Sequence, residues 1–131
     1  MTQEDAKLIA QELGSRLSYG VKIRVNDKIE TVEGINILDN IVEFGTYMAC
    51  DIDEVKPYLF PMSSMTEEQH TDMFNYYHNA EIEEVYASGD YLKAAYIGDD
   101  KKYEWLNRNH FDYRGLIEKG LAIDATGLGI Y

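Results

Sequence analysis

Val21-Lys22-Ile23-Arg24-Val25-Asn26-Asp27-Lys28-Ile29 is the stretch on which the fold turns. Val21, Ile23 and Val25 alternate with Lys22 and Arg24, the period expected of a half-buried strand. Asn26-Asp27 is a pair whose side chains tolerate left-handed backbone, so the chain turns back on itself there. Ile29 leads a second strand to Leu38. Its alternation slips around Gly34, where a bulge or a sharp coil is the simplest cause. Asp39-Asn40 makes the next turn, and Ile41 to Tyr47 supplies a third strand with Val42 and Phe44 on one face. The outcome is an antiparallel meander, with closure into a small SH3-like barrel left open. From Asp51 to Pro61 the reading is harder. Pro57 lacks the donor that a central strand needs, so a strand here is expected at an edge.

Working outward, Thr2 can cap a helix whose first turn carries Glu4 and Asp5, residues suited to the positive end of the dipole. Leu8, Ile9, Leu13 and Leu17 recur near helical spacing, with Lys7, Gln11 and Glu12 expected on the opposite side. Gly14 and Ser15 are expected to loosen or end the helix, and Gly20 to mark the change of structure. Beyond the meander, Thr66 with Gln69 forms a capping box, and Met65 is placed to staple the same end. The helix that follows should turn Met73, Phe74 and Tyr77 inward and run to Tyr86, before Ser88-Gly89-Asp90. Tyr91 to Ile97 fits helix or strand, and Gly98-Asp99-Asp100 reads as a turn opening a short helix through Trp105 and Leu106. The class is α+β: an N-terminal helix, the meander or barrel, then a mainly helical C-terminal half. The length of 131 residues is that of a single domain, 1–131.

Charge narrows the function classes. Twenty-four acids against 12 bases give a net charge of −12, a field that repels phosphate backbones and disfavours direct nucleic-acid binding. No Lys or Arg occurs between Lys56 and Lys93, while Glu67, Glu68, Asp72, Glu81, Glu83, Glu84 and Asp90 all fall there. No apolar run approaches the roughly 18 residues of a membrane span. Met1-Thr2-Gln3-Glu4-Asp5 lacks the basic and apolar parts of a signal peptide, so the chain reads as cytoplasmic.

Candidate chemistry is sparse. Cys50 is the sole cysteine, which excludes an intrachain disulfide and reads as a small packing residue at a strand end. Glu67-x-x-His70 and His78-x-x-Glu81 carry carboxylate and imidazole at a spacing that helical di-metal sites use. Such sites need further inward-facing acids, and none is supplied; no metal or cofactor is expected. His110 near Asp112 offers the raw material of acid–base catalysis without a nucleophile placed beside it. Arg114 is expected in an internal salt bridge. The 11 tyrosines stand against only four Phe and one Trp, so they must divide between core and surface, where tyrosine favours interfaces. The expected role is a non-enzymatic module binding a protein partner through Glu67, Glu68, Asp72, Tyr76, Glu83 and Glu84, with self-association open. The alternative is a small hydrolase or metal-dependent enzyme using His70, His78 or His110 with nearby carboxylates.

Two stretches carry a resemblance. Asp51-Ile52-Asp53-Glu54-Val55-Lys56-Pro57-Tyr58-Leu59-Phe60-Pro61-Met62-Ser63-Ser64-Met65-Thr66-Glu67-Glu68 resembles the central signature of a family of small uncharacterised proteins from gut anaerobic bacteria, their prophages and phages. Trp105-Leu106, followed by His110-Phe111-Asp112-Tyr113-Arg114-Gly115-Leu116-Ile117-Glu118-Lys119-Gly120-Leu121-Ala122, resembles its C-terminal signature, and Leu17-Ser18-Tyr19-Gly20-Val21-Lys22 extends the likeness. The resemblance implies an accessory protein of phage origin in a bacterial cytoplasm. It implies no cofactor and no active site. From its residues, the C-terminal signature is expected to be structural: Trp105, Leu106, Phe111, Leu116 and Ile117 would form one apolar cluster around a turn at Gly115.

Overall fold

In the computed structural model, which describes residues 1–131, Thr2 caps the first helix as its sequence requires. Its hydroxyl accepts from the Asp5 amide at 3.0 Å, and the Asp5 carboxylate accepts from the Thr2 amide in return. Helix α1 (Gln3–Arg16) runs through Gly14 and Ser15 without ending there. The chain divides into two compact units, Met1–Met62 with His110–Tyr131, and Ser63–Asn109.

The first unit is built on the meander. Strands β1 (Lys22–Val25), β2 (Lys28–Asn36), β3 (Ile41–Phe44) and β4 (Met48–Asp51) pair antiparallel in succession. Asn26 and Asp27 have φ of 50° and 62°, the left-handed pair that a tight hairpin demands. The expected bulge is present: the β2–β3 register steps from Val32 opposite Phe44 to Gly34 opposite Glu43, leaving Glu33 as the extra residue. The third strand ends at Phe44 rather than Tyr47, because Gly45 and Tyr47 both take positive φ and turn the chain into β4.

Strand β5 (Lys56–Pro61) corrects the reading of Pro57. It is not an edge: β1 pairs on one side, while β6 (Phe111–Asp112) and β7 (Ile123–Asp124) pair parallel to it on the other. Pro57 is tolerated because pairing on that second side begins only at Tyr58, one residue later. The sheet order is β4-β3-β2-β1-β5-β6, with β7 also on β5; β4 and β6 do not pair, so the sheet is open rather than a closed SH3-like barrel. Ile9 and Leu13 of α1 lie with Val21, Ile23, Val42, Leu59 and Leu116 in one buried cluster. Each such side chain contributes about 1.5–3 kcal/mol on burial.

The C-terminal segment is tied down by polar contacts. Asp112 accepts from the amides of Leu116 and Ile117 at 2.8 and 2.9 Å, closing a turn in which Gly115 has φ +76°. The Tyr131 hydroxyl donates to the Tyr58 carbonyl and accepts from the Lys22 amide, both at 2.8 Å. The residue is 41% exposed, but the loss of water around its bonded hydroxyl pushes the phenol pKa up to about 12.

The second unit is helical. Thr66 and Gln69 form the capping box at the head of α2 (Glu67–Tyr77), and Met65 is buried beside it. The helix does not continue to Tyr86. Asn79 accepts from the Ile82 amide and starts a separate helix, α3 (Ala80–Ala87). Asp90 caps α4 (Tyr91–Arg108), which passes through Gly98-Asp99-Asp100 without a turn. A Cβ at Gly98 would make only ordinary van der Waals contact with the Ile82 side chain at 3.8 Å and the Tyr77 carbonyl at 4.0 Å. Met73 is buried as expected, whereas Phe74 is largely exposed and stacks on His78 at 4.9 Å. Trp105 and Leu106 are buried on α4 in the helical unit, while Leu116 is buried in the core of the first unit with Ile117 packed against it. No helix is long and apolar enough to cross a membrane.

Candidate functional site

The helical unit carries an apolar groove, and its cause is local. Ala94 and Gly98 lie one turn apart on α4, and Ala95 lies beside them; small side chains there leave a groove of about 660 Å³ against α3. Ile82 and Tyr77 wall it, while Tyr86 and Tyr91 meet at its rim with ring centroids 4.8 Å apart. The lining is mostly apolar. Polar groups enter only at the margin: His78 and Glu83, whose side chains approach to 3.5 Å, and Asp99 with Lys102. Beyond the rim α4 exposes Leu92 at 87% and Tyr96 at 77%. The helical unit therefore leaves apolar and aromatic side chains in water around the groove.

The expected binding residues divide into two groups. Glu67, Glu68, Glu83 and Glu84 are exposed, the first two in the opening turn of α2 and the others on α3. Asp72 and Tyr76 work inside the unit. Asp72 accepts the Trp105 indole N–H at 2.9 Å. The Tyr76 hydroxyl donates to Glu104 at 2.8 Å and accepts from Arg108 at 3.1 Å, and its ring lies 5.1 Å from the Arg108 guanidinium.

The three histidines occupy different settings. His70 is exposed on α2, and His78 sits at the groove margin, 3.5 Å from the Glu83 carboxylate. No group of three or more His, Cys, Asp or Glu side chains converges as a metal site would. His110 is buried in the first unit, with left-handed backbone (φ 62°) and its ring stacked 3.7 Å from that of Tyr131. It hydrogen-bonds the Tyr19 backbone, while Nδ1 has no protein partner. Burial first, then the charges of Arg16 and Lys22, lower its pKa from 6.5 to about 4. Cys50 is half-buried at the edge of the sheet. Burial and the carboxylates of Glu54, Asp51 and Asp53 raise its pKa, the opposite of what activates a thiol nucleophile.

The low pKa of His110 sets a pH dependence with a definite sign. Above pH 6.5 the ring is neutral in the folded and unfolded states, and its full contribution to stability is present. As pH falls through 6.5 the unfolded chain binds the proton first, so stability is lost progressively until the folded ring titrates near 4. The loss across that window is about 3 kcal/mol in order of magnitude. His110→Asn, which tolerates the same left-handed backbone, removes this contribution while leaving the carboxylates that also titrate. Urea unfolding at pH 7 and pH 4.5 should therefore show wild type losing more stability on acidification than the variant. Equal losses would refute the assignment.

One group of functional weight was misplaced by periodicity. Glu12, expected toward solvent, is fully buried with Arg16, and the two form an ion pair one helical turn apart. Arg16 also donates to the Phe111 carbonyl. Arg114 makes the internal salt bridge expected of it, to the second oxygen of Glu12 at 2.9 Å, and also reaches the Ser15 hydroxyl at 2.9 Å. The i, i+4 spacing of Glu12 and Arg16 was the available signal, but the same spacing is common on exposed helix faces. The cluster is a clasp that holds the C-terminal signature against α1.

Comparison with family models, curated proteins and solved structures matched none of them.

Proposed function

We propose that the chain is a non-enzymatic accessory module that binds a basic protein partner through its helical unit. The observation that carries this is the apolar groove between α3 and α4, rimmed by Tyr86 and Tyr91, whose α3 wall belongs to a stretch without Lys or Arg from Pro57 to Leu92, while Lys102 of α4 enters at the margin. The tyrosines and Leu92 offer desolvation area, and Glu83 and Glu84 on α3, with Glu67 and Glu68 on α2, offer complementarity to a cationic surface. A partner that normally holds nucleic acid fits this chemistry, since carboxylates can stand in for a phosphate backbone. On that reading the protein inhibits such a partner, and the resemblance to phage-associated proteins supports a host target.

The test is affinity capture from the native host with the full chain as bait, followed by mass spectrometry. Tyr86→Ala with Tyr91→Ala should remove the captured partner, and Glu83→Lys with Glu84→Lys should do so at unchanged thermal stability. A partner retained by both variants would move the interface elsewhere. Turnover of a substrate that depends on His78 would replace the reading with an enzymatic one.

A further inference from the structure

We infer that the outer face of the sheet, where Lys22, Arg24 and Lys56 meet, binds the phosphate group of a small soluble molecule. The site lies in the first unit and does not depend on the reading of the helical one.

Strand periodicity brings the three cations together. Ile23 and Val25 of β1 are buried, so Lys22 and Arg24, which alternate with them, project from the opposite face. Residues paired directly across a ladder share a face, and Lys56 of β5 stands opposite Arg24. On the other flank of β1, Thr31 of β2 stands opposite Lys22, and Ile29 opposite Arg24. The Lys22 ammonium donates to the Thr31 hydroxyl at 2.9 Å, and that hydroxyl has no acceptor of its own in the protein. The face is open here: Arg24 and Lys56 are exposed, and Ile29 is half-exposed beside them.

The arrangement is unfavourable without an anion. Like charges directly opposite each other across strands destabilise a sheet. The chain has 24 acids for 12 bases, yet Arg24 and Lys56 have no ion-pair partner within 4.0 Å, and their side chains make no hydrogen bond. The acids close to them in sequence are turned to other uses or leave them unpaired. Glu30 stands opposite buried Ile23 and so belongs to the other face, and Glu54 accepts the Asp51 amide at 3.1 Å. Asp27, in the turn after β1, pairs with neither cation. An oxyanion supplies what these groups lack. The Arg24 guanidinium is a planar fork that matches two phosphate oxygens, Lys56 and Lys22 add charge beside it, and the Thr31 hydroxyl adds a neutral donor. A compact anion is favoured over an extended one. At physiological salt the field of distant charges is screened beyond about 8 Å, so the local cations dominate over the net charge of −12. A long polyanion would instead run from this face onto the acidic remainder of the surface.

The experiment is a titration of the full chain with inorganic pyrophosphate at about 0.15 M salt, followed by amide proton–nitrogen correlation spectra and by melting temperature. Saturable shifts at Lys22, Arg24, Thr31 and Lys56 are expected, with a rise in melting temperature. Arg24→Gln should weaken binding about tenfold, as loss of a charge-assisted contact implies. Arg24→Lys keeps the charge without the fork and should fall between the two. Lys56→Gln relieves the repulsion across the ladder, so without pyrophosphate it should melt above wild type, and it should gain less from the anion. A Lys56→Gln variant that melts below wild type would make the cation a stabilising part of the sheet and overturn the proposal. Shifts confined to other residues, unchanged binding by Arg24→Gln, or no binding at millimolar pyrophosphate would each overturn it as well. Binding to phosphatidic acid vesicles without binding to pyrophosphate would assign the face to a membrane headgroup and overturn the soluble ligand.

Discussion

Arg16→Met is expected to destabilise the protein by about 3–5 kcal/mol, the range found when one partner of a buried ion pair is removed. The methionine keeps most of the aliphatic volume, so the loss is electrostatic rather than steric. It leaves the Glu12 carboxylate at 0% exposure with Arg114 as its remaining charged partner, and it removes the donor that serves the Phe111 carbonyl. The converse is equally informative. Replacing both members, Arg16→Met with Glu12→Leu, removes two buried charges together and should recover at least about 2 kcal/mol of the loss, because a packed apolar pair is often as stable as a buried ionic one. Urea unfolding of the four members of the cycle measures both quantities. A single variant costing less than about 1 kcal/mol would mean that water reaches Glu12, and the clasp would lose its structural role.

Trp105→Ala should cost about 3–5 kcal/mol, as expected for emptying the site of a buried indole. Trp105 is 3% exposed on α4, and its N–H bonds Asp72 of α2, so one side chain joins two of the three helices in its unit. Trp105→Phe keeps most of the apolar contact and loses the hydrogen bond. Asp72 is exposed and can turn to water, so this variant should lose only about 1 kcal/mol. Because Trp105 is the only tryptophan, the measurement should follow far-ultraviolet circular dichroism rather than fluorescence. A melting temperature unchanged in Trp105→Ala, combined with loss of a captured partner, would make the tryptophan a binding residue instead.

The candidate site was partly legible. Tyrosines and acids in the segment before Lys93 pointed to the helical unit, and Glu67, Glu68, Glu83 and Glu84 are exposed there. The groove itself could not be read, because it arises where Ala94, Ala95 and Gly98 face another helix, and small residues in one helix do not announce which neighbour they meet. Asp72 and Tyr76 read as unpartnered binding groups for the same reason: the residues they bond, Trp105 and Glu104, lie 33 and 28 positions away.

What the sequence determined by itself was set by interactions a few residues long. Thr2 and Thr66 cap helices through amides three positions on, Asn26-Asp27 turns the first hairpin through its own backbone preference, and Gly34 marks the bulge beside it. What only the tertiary structure decided involves partners far along the chain. Arg114 and Glu12 are 102 positions apart, Arg16 and Phe111 are 95 apart, and Tyr131 reaches Tyr58 across 73. The parallel pairing of β6 and β7, which makes β5 an interior strand despite Pro57, belongs to the same class. A helix face is apolar or polar by its own periodicity, but a buried carboxylate is stable only once cations from elsewhere surround it. Glu12 therefore reads as a surface residue until Arg114 arrives from the other end of the chain.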